Sequence, residues 1–163
     1  MLGTTSAELL GAGDLLRPAD VDGDIAVPAP AEVEWTALAP VRVAALDEAF
    51  LAVACRYPAV VGRLLERAVS RAKALALHDA VTNLKHVETR LLVQFWHLAE
   101  RWGRVTREGI VIELPLTHEM LAKLVAAARP SVTTALGGHA DRGLVTRDGR
   151  GWLLSRDRFL SER

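Results

Sequence analysis

The chain has 163 residues, half of them hydrophobic, and its 20 Lys and Arg are balanced by 20 Asp and Glu, which supplies apolar material for one or two small cores. No stretch approaches the roughly eighteen uncharged apolar residues of a membrane span, and no basic start followed by a hydrophobic run suggests a signal peptide, so no membrane association and a cytoplasmic location are expected. The single cysteine, Cys55, cannot form an internal disulfide and fits a reducing compartment. Charge is unevenly divided. Residues 1–57 hold three Arg or Lys against nine Asp or Glu, and residues 58–163 hold seventeen against eleven, so any contact with phosphates is expected in the later part.

Residues 1–46 lack a sustained helical pattern and are rich in Gly, Pro and Asp. They read as strands and turns, with Ala31–Leu38 and Val41–Leu46 as the strand candidates on either side of a turn at Pro40. Asp47 is placed to cap a short helix reaching about Arg56. Pro58 then opens a long helix expected to run to about Asn83. In it Val61, Leu65, Ala68, Ala72 and Leu75 recur at alternating spacings of four and three, the seam of a helix pair, which predicts a homodimer. Arg63, Arg67 and Arg71 occupy another face and read as a solvated stripe helped by Glu66. A further helix is expected from Val87 to Arg101, between a break near Lys85-His86 and Gly103. Its Leu91, Leu92, Phe95, Trp96 and Leu98 read as core, because such a stripe is far more often packing than a nucleobase platform. Residues 104–115 supply a short loop and the strand Ile110–Leu114.

The most informative stretch follows. Thr117 suits a helix N-cap, and Leu121, Leu124 and Val125 form one apolar stripe. Ala126-Ala127-Ala128 is a small-residue turn, and Pro130 suits the first position of a second helix, about 130–141, whose Val132, Ala135 and Leu136 return to the core. Arg129, Ser131, Thr133 and Thr134 are left facing outward, a set suited to phosphates and base edges in a major groove. Val145-Thr146-Arg147 then leads through Asp148-Gly149, a strong hairpin signal, and Arg150-Gly151 into Trp152-Leu153-Leu154. A helix-turn-helix closed by such a hairpin is a winged helix, and Arg147 and Arg150 are placed to approach the DNA backbone from the wing.

Three segments, Leu116–Val125, Ala128–Leu136 and Arg142–Val145, resemble the C-terminal domain of Crp/Fnr-type transcription regulators, the family of the cyclic AMP receptor protein. Upstream, Gly13-Asp14-Leu15-Leu16-Arg17-Pro18 and the helix before Asn83 resemble that family's effector-domain end and dimerisation helix. The resemblance implies an α+β fold in three parts: a truncated, cyclic-nucleotide-binding-like barrel remnant over 1–57, a dimerisation helix over 58–83 and a winged helix-turn-helix domain over 84–163. It implies a homodimeric, sequence-specific regulator that binds double-stranded DNA through Thr117, His118, Arg129, Ser131, Thr133, Thr134, Arg147 and Arg150, with RNA polymerase as a further partner. Pro130 stands where the founding members carry an acidic residue, which removes a cytosine contact, so their operator does not transfer. The alternative is a winged helix that serves protein interaction or dimerisation without DNA.

Relatives that bind cyclic AMP carry Gly-Glu after the Gly-Asp turn and then Arg-Ser-Ala or Arg-Thr-Ala, whose arginine neutralises the phosphate. Here Arg17-Pro18 follows the turn, neither tripeptide occurs before Trp35, and Ala31-Glu32-Val33 would bring a carboxylate near the phosphate. Cyclic-nucleotide binding in the family's ordinary mode is therefore not expected. No cofactor is expected either. His78, His86, His97, His118 and His139 are scattered. Asp20, Asp22 and Asp24 around Gly23 lack a calcium loop's glutamate, since Ala31 stands at that position. With no Gly-rich phosphate loop and no nucleophile elbow, an enzyme is not expected.

Overall fold

The structure is a computed structural model that describes residues 7–16, 34–149 and 151–155. Its residues cluster into two compact units, Leu10–Ala74 and a second formed by Met1–Leu9 with Leu75–Arg163.

In the first unit, Gly13 adopts φ +82° in a turn where the Gly11 N–H donates to Asp14 Oδ2 at 2.7 Å. The Arg67 guanidinium lies over that glycine, so close that a Cβ there would come within 2.7 Å of Nη1. Arg67 is thus a packing residue and not part of a purely solvated stripe, while Arg63 and Glu66 form the expected exposed pair at 3.0 Å. The strand expected at Val41–Leu46 is not formed. Val41 and Val43 are 69% and 79% exposed, and among the described residues no neighbouring strand pairs with them, which leaves an extended segment without its ladder. Residues 31–33 of the other candidate lie outside the described residues, and its remainder, from Glu34, likewise forms no strand. α1 (Glu48–Ala54) begins at the expected cap, with Asp47 Oδ1 accepting from the Phe50 N–H at 2.8 Å. α2 (Pro58–Thr82), whose residues from Leu75 on are counted in the second unit, carries the seam residues, and Leu65 and Leu75 on it are exposed.

The second unit contains α3 (Val87–Trp102), β1 (Gly103–Val105), β2 (Ile110–Ile112), α4 (His118–Leu124), α5 (Arg129–Asp141), β3 (Val145–Asp148) and β4 (Gly151–Leu154). The strands form one antiparallel sheet in the order β1-β2-β4-β3, with Ile112 opposite both Gly103 and Trp152 and Asp148 opposite Gly151. β1 is a strand where the sequence predicts loop, since three residues with only Val105 strongly apolar give no alternation. Leu91, Phe95, Leu98, Ile112, Leu121, Val125 and Val132 are fully buried, and Phe95 meets Trp152 with ring centroids 5.1 Å apart. Leu92 and Trp96, also expected in the core, are only half-buried, and the Trp96 indole N–H donates to Glu100 Oε1 at 2.9 Å. The hydrophobic core thus joins α3, the sheet and both helices of the helix-turn-helix in one cluster.

The turn between α4 and α5 is held from outside. Ala126 stands at φ +48°, which reverses the chain so that the Ala127 N–H reaches Ala122 O at 2.9 Å. Arg90 of α3 donates to the carbonyls of Val125 and Ala126 at 3.2 and 3.1 Å and, through Nε, to Leu84 O at 2.6 Å. A side chain with five donors and no acceptor is suited to a turn whose carbonyls point away from any helix.

Candidate nucleic-acid interface

α4 starts at Thr117, whose hydroxyl accepts from the Met120 N–H at 3.2 Å. The first turn of α4 thereby has a fixed direction. α5 starts at Arg129, one residue before the expected Pro130. Its interior face is Val132, Ala135, Leu136 and His139, all buried. Arg129, Ser131, Thr133 and Thr134 are all exposed, as their spacing predicted.

These polar residues differ in what holds them. Among the described residues Arg129 makes no ion pair, so its guanidinium is not committed to Asp141 or another carboxylate. The Thr134 hydroxyl donates back to Pro130 O at 3.2 Å, leaving its lone pairs and methyl outward. His118 Nδ1 lies 3.0 Å from Thr133 Oγ1, which ties the start of α4 to the front of α5. Arg147 does not reach freely from the wing. It donates through Nη1 to Leu116 O at 2.9 Å and lies over the Trp152 ring at 4.6 Å, while Trp152 Nε1 donates to the same carbonyl at 3.2 Å. The wing is therefore fastened to the residue that precedes α4, and Arg147 is first a positioning residue. Arg150 lies outside the described residues. Gly149, at φ +53°, makes the tight turn that the Asp-Gly pair predicted.

An open cleft of about 400 Å³ adjoins this surface, lined by His86, Val87 and Glu88 at the start of α3 and by Ser131, Thr134 and Ala135 of α5. Sequence reasoning missed the first three residues. The break at Lys85-His86 was legible only as a boundary, and nothing in the local pattern says that the α3 N-terminus arrives beside the front of α5. His86 occupies the N-cap without a side-chain bond to the helix, so its side chain satisfies none of the first amides of α3.

Residues 89–160 match the Crp-like helix-turn-helix domain family. The second half of the chain thus carries a Crp-like helix-turn-helix domain. It is 29% identical over 154 residues to a CRP-like cAMP-activated global transcriptional regulator of Mycobacterium tuberculosis, a match covering 91% of this chain and 68% of the relative. The fold is that of a Crp-family transcriptional regulator from Thermus thermophilus (TM-score 0.54, 20% identity, 63% of this chain and 52% of that one) and of a CooA mutant from Carboxydothermus hydrogenoformans (0.61, 22%, 69% and 52%). The chain spans about half the length of these solved structures. Among the described residues of this Crp-like chain, no helix is long and apolar enough to cross a membrane.

Proposed function

We propose that this chain is a cytoplasmic, homodimeric, sequence-specific DNA-binding transcription regulator in which α5 enters the major groove. The observation that carries this is the front of α5, where Arg129 has no carboxylate partner among the described residues and three hydroxyl side chains stand beside it on a rigidly seated helix. Arg129 supplies a fork that pairs with both acceptors of guanine, and Ser131, Thr133 and Thr134 reach phosphates or a thymine methyl. Thr117 and His118 flank them at the start of α4. The seam of half-buried Val61 and exposed Leu65, Ala68, Ala72 and Leu75 joins two copies, so that two recognition helices address two half-sites. The division into an effector remnant over 1–57, a dimerisation helix over 58–83 and a DNA-binding domain over 84–163 goes with this function, as does contact with RNA polymerase.

Binding-site selection from a randomised duplex pool tests it. The native chain enriches one motif, and Arg129→Ala relaxes one position per half-site. Retention of both affinity and preference by Arg129→Ala would remove Arg129 from recognition. Capture of protein partners without enrichment of any duplex would favour the interaction module.

A further inference from the structure

His118 opens α4 directly after the Thr117 cap and is half-buried at the front of the helix-turn-helix, where two neighbours hold it. On one side its ring lies 6.1 Å from that of Trp152, inclined by 34°, and Trp152 is itself buried, bonded to Leu116 O and packed on Phe95. On the other side its Nδ1 lies 3.0 Å from Thr133 Oγ1, 15 positions along the chain. A capped backbone and a firmly packed indole leave the imidazole little freedom, so the side chain that conforms is that of Thr133. In a helix a threonine divides between two staggered wells, because its hydroxyl can turn back to a carbonyl of the preceding turn. Thr134 takes that course, donating to Pro130 O at 3.2 Å. Thr133, the adjacent residue, turns its hydroxyl to α4 instead.

We infer that His118 is a positioning residue that holds the Thr133 hydroxyl against α4, so that Thr133 meets DNA through its methyl group and reads a thymine by its C5 methyl. This rests on the function proposed above and assigns one base contact within it. A hydroxyl free to sample both wells offers a donor or an acceptor to almost any base edge and discriminates little. A methyl fixed in one well is complementary to the apolar group that thymine alone presents in the major groove. Thymine and uracil differ by that methyl and nothing else. Covering it with the Thr133 methyl is worth about fourfold in affinity, from the transfer of one methyl out of water. His118 thus acts on sequence preference through Thr133, whereas a contact of its own with a phosphate would strengthen all sequences alike.

The test takes the half-site that the full native chain selects from a randomised duplex pool, replaces each thymidine in turn by deoxyuridine, and compares affinities by anisotropy. At one position per half-site the native chain binds thymine about fourfold better than uracil. Thr133→Val keeps a methyl in place and keeps the preference, and Thr133→Ser, which lacks the methyl, binds both duplexes alike. His118→Ala lowers the preference to about twofold, since the methyl is then in place for only part of the time. His118→Asn, whose amide puts a polar atom where Nδ1 stands, restores it. A general loss of binding or stability leaves a ratio of two duplexes unmoved. In the free chain, three-bond NMR couplings to Thr133 Cγ2 report one χ1 well, and in His118→Ala they report an average over two. An unchanged ratio in His118→Ala, a preference kept by Thr133→Ser, a native ratio of one at every thymine, or couplings already averaged in the native chain overturns the inference. A pool that yields no motif rejects the DNA function and with it the base assignment, while the couplings still decide whether His118 holds Thr133.

Discussion

At the scale of single residues, the interface is an arrangement of side chains with different commitments, and each commitment predicts a different response. Arg129, exposed and without a carboxylate partner among the described residues, is expected to act through DNA alone. Arg129→Ala should weaken a selected duplex by about 1–3 kcal/mol in an anisotropy titration and leave the thermal midpoint unchanged. Arg147 is expected to do the reverse in part, because its bond to Leu116 O and its stacking on Trp152 orient the wing. Ala126 is a third kind of residue. It stands at φ +48°, a region costly for any side chain with a Cβ. Ala126→Gly should therefore raise stability by about 1 kcal/mol in denaturant unfolding, and an unchanged or lower midpoint would show that the turn is not strained. The outward set on α5 was legible from spacing alone, since one arginine and three hydroxyls alternate with Val132, Ala135 and Leu136. The bonds of Arg90 to Val125 O and Ala126 O, of Arg147 to Leu116 O and of His139 to Glu88 O were not, because each joins residues at least 31 positions apart through a backbone carbonyl, and a carbonyl leaves no trace in side-chain pattern.

At the scale of elements, long periodic segments were legible and short or unpartnered ones were not. α2, α3 and α5 each end within one residue of the sequence expectation, because a cap, a proline or a glycine marks the boundary. β1 escaped because its pairing with β2, and not its composition, makes it a strand. The segment Val41–Leu46 misled for the converse reason, having the residues of a strand without a neighbour. α2 makes the clearest prediction here. Its Leu65 and Leu75 are 62% and 44% exposed in a single chain, and covering such a seam with a second copy removes apolar surface from water. Leu65→Asp or Leu75→Asp should give monomers in sedimentation, with weakened binding to a two-half-site duplex. An unaltered dimer would place the interface elsewhere. The wing supplies a second prediction. Trp152→Phe keeps the ring contact with Phe95 but loses the indole bond to Leu116 O, and should cost about 1–2 kcal/mol of stability in chemical denaturation.

At the scale of the whole molecule, the winged helix is the part that residue types and spacing specify most fully, since core stripe, cap, turn and hairpin all point to one arrangement. The expectation of an effector remnant over 1–57 rests on sequence alone. The Mycobacterium tuberculosis relative is described as cAMP-activated, whereas neither Arg-Ser-Ala nor Arg-Thr-Ala occurs before Trp35 in this chain. Titration calorimetry is expected to show no saturable micromolar binding of cyclic AMP, and such binding would mean that another basic residue, Arg17 or Arg42, takes the place of the tripeptide's arginine. The central claim concerns DNA. Selection from a randomised duplex pool with the native chain, repeated at rising salt, tests it most directly. The account predicts one enriched motif with two related half-sites about one helical turn apart, and an affinity that falls steeply as salt rises. A pool that remains random, or binding indifferent to salt, would contradict it.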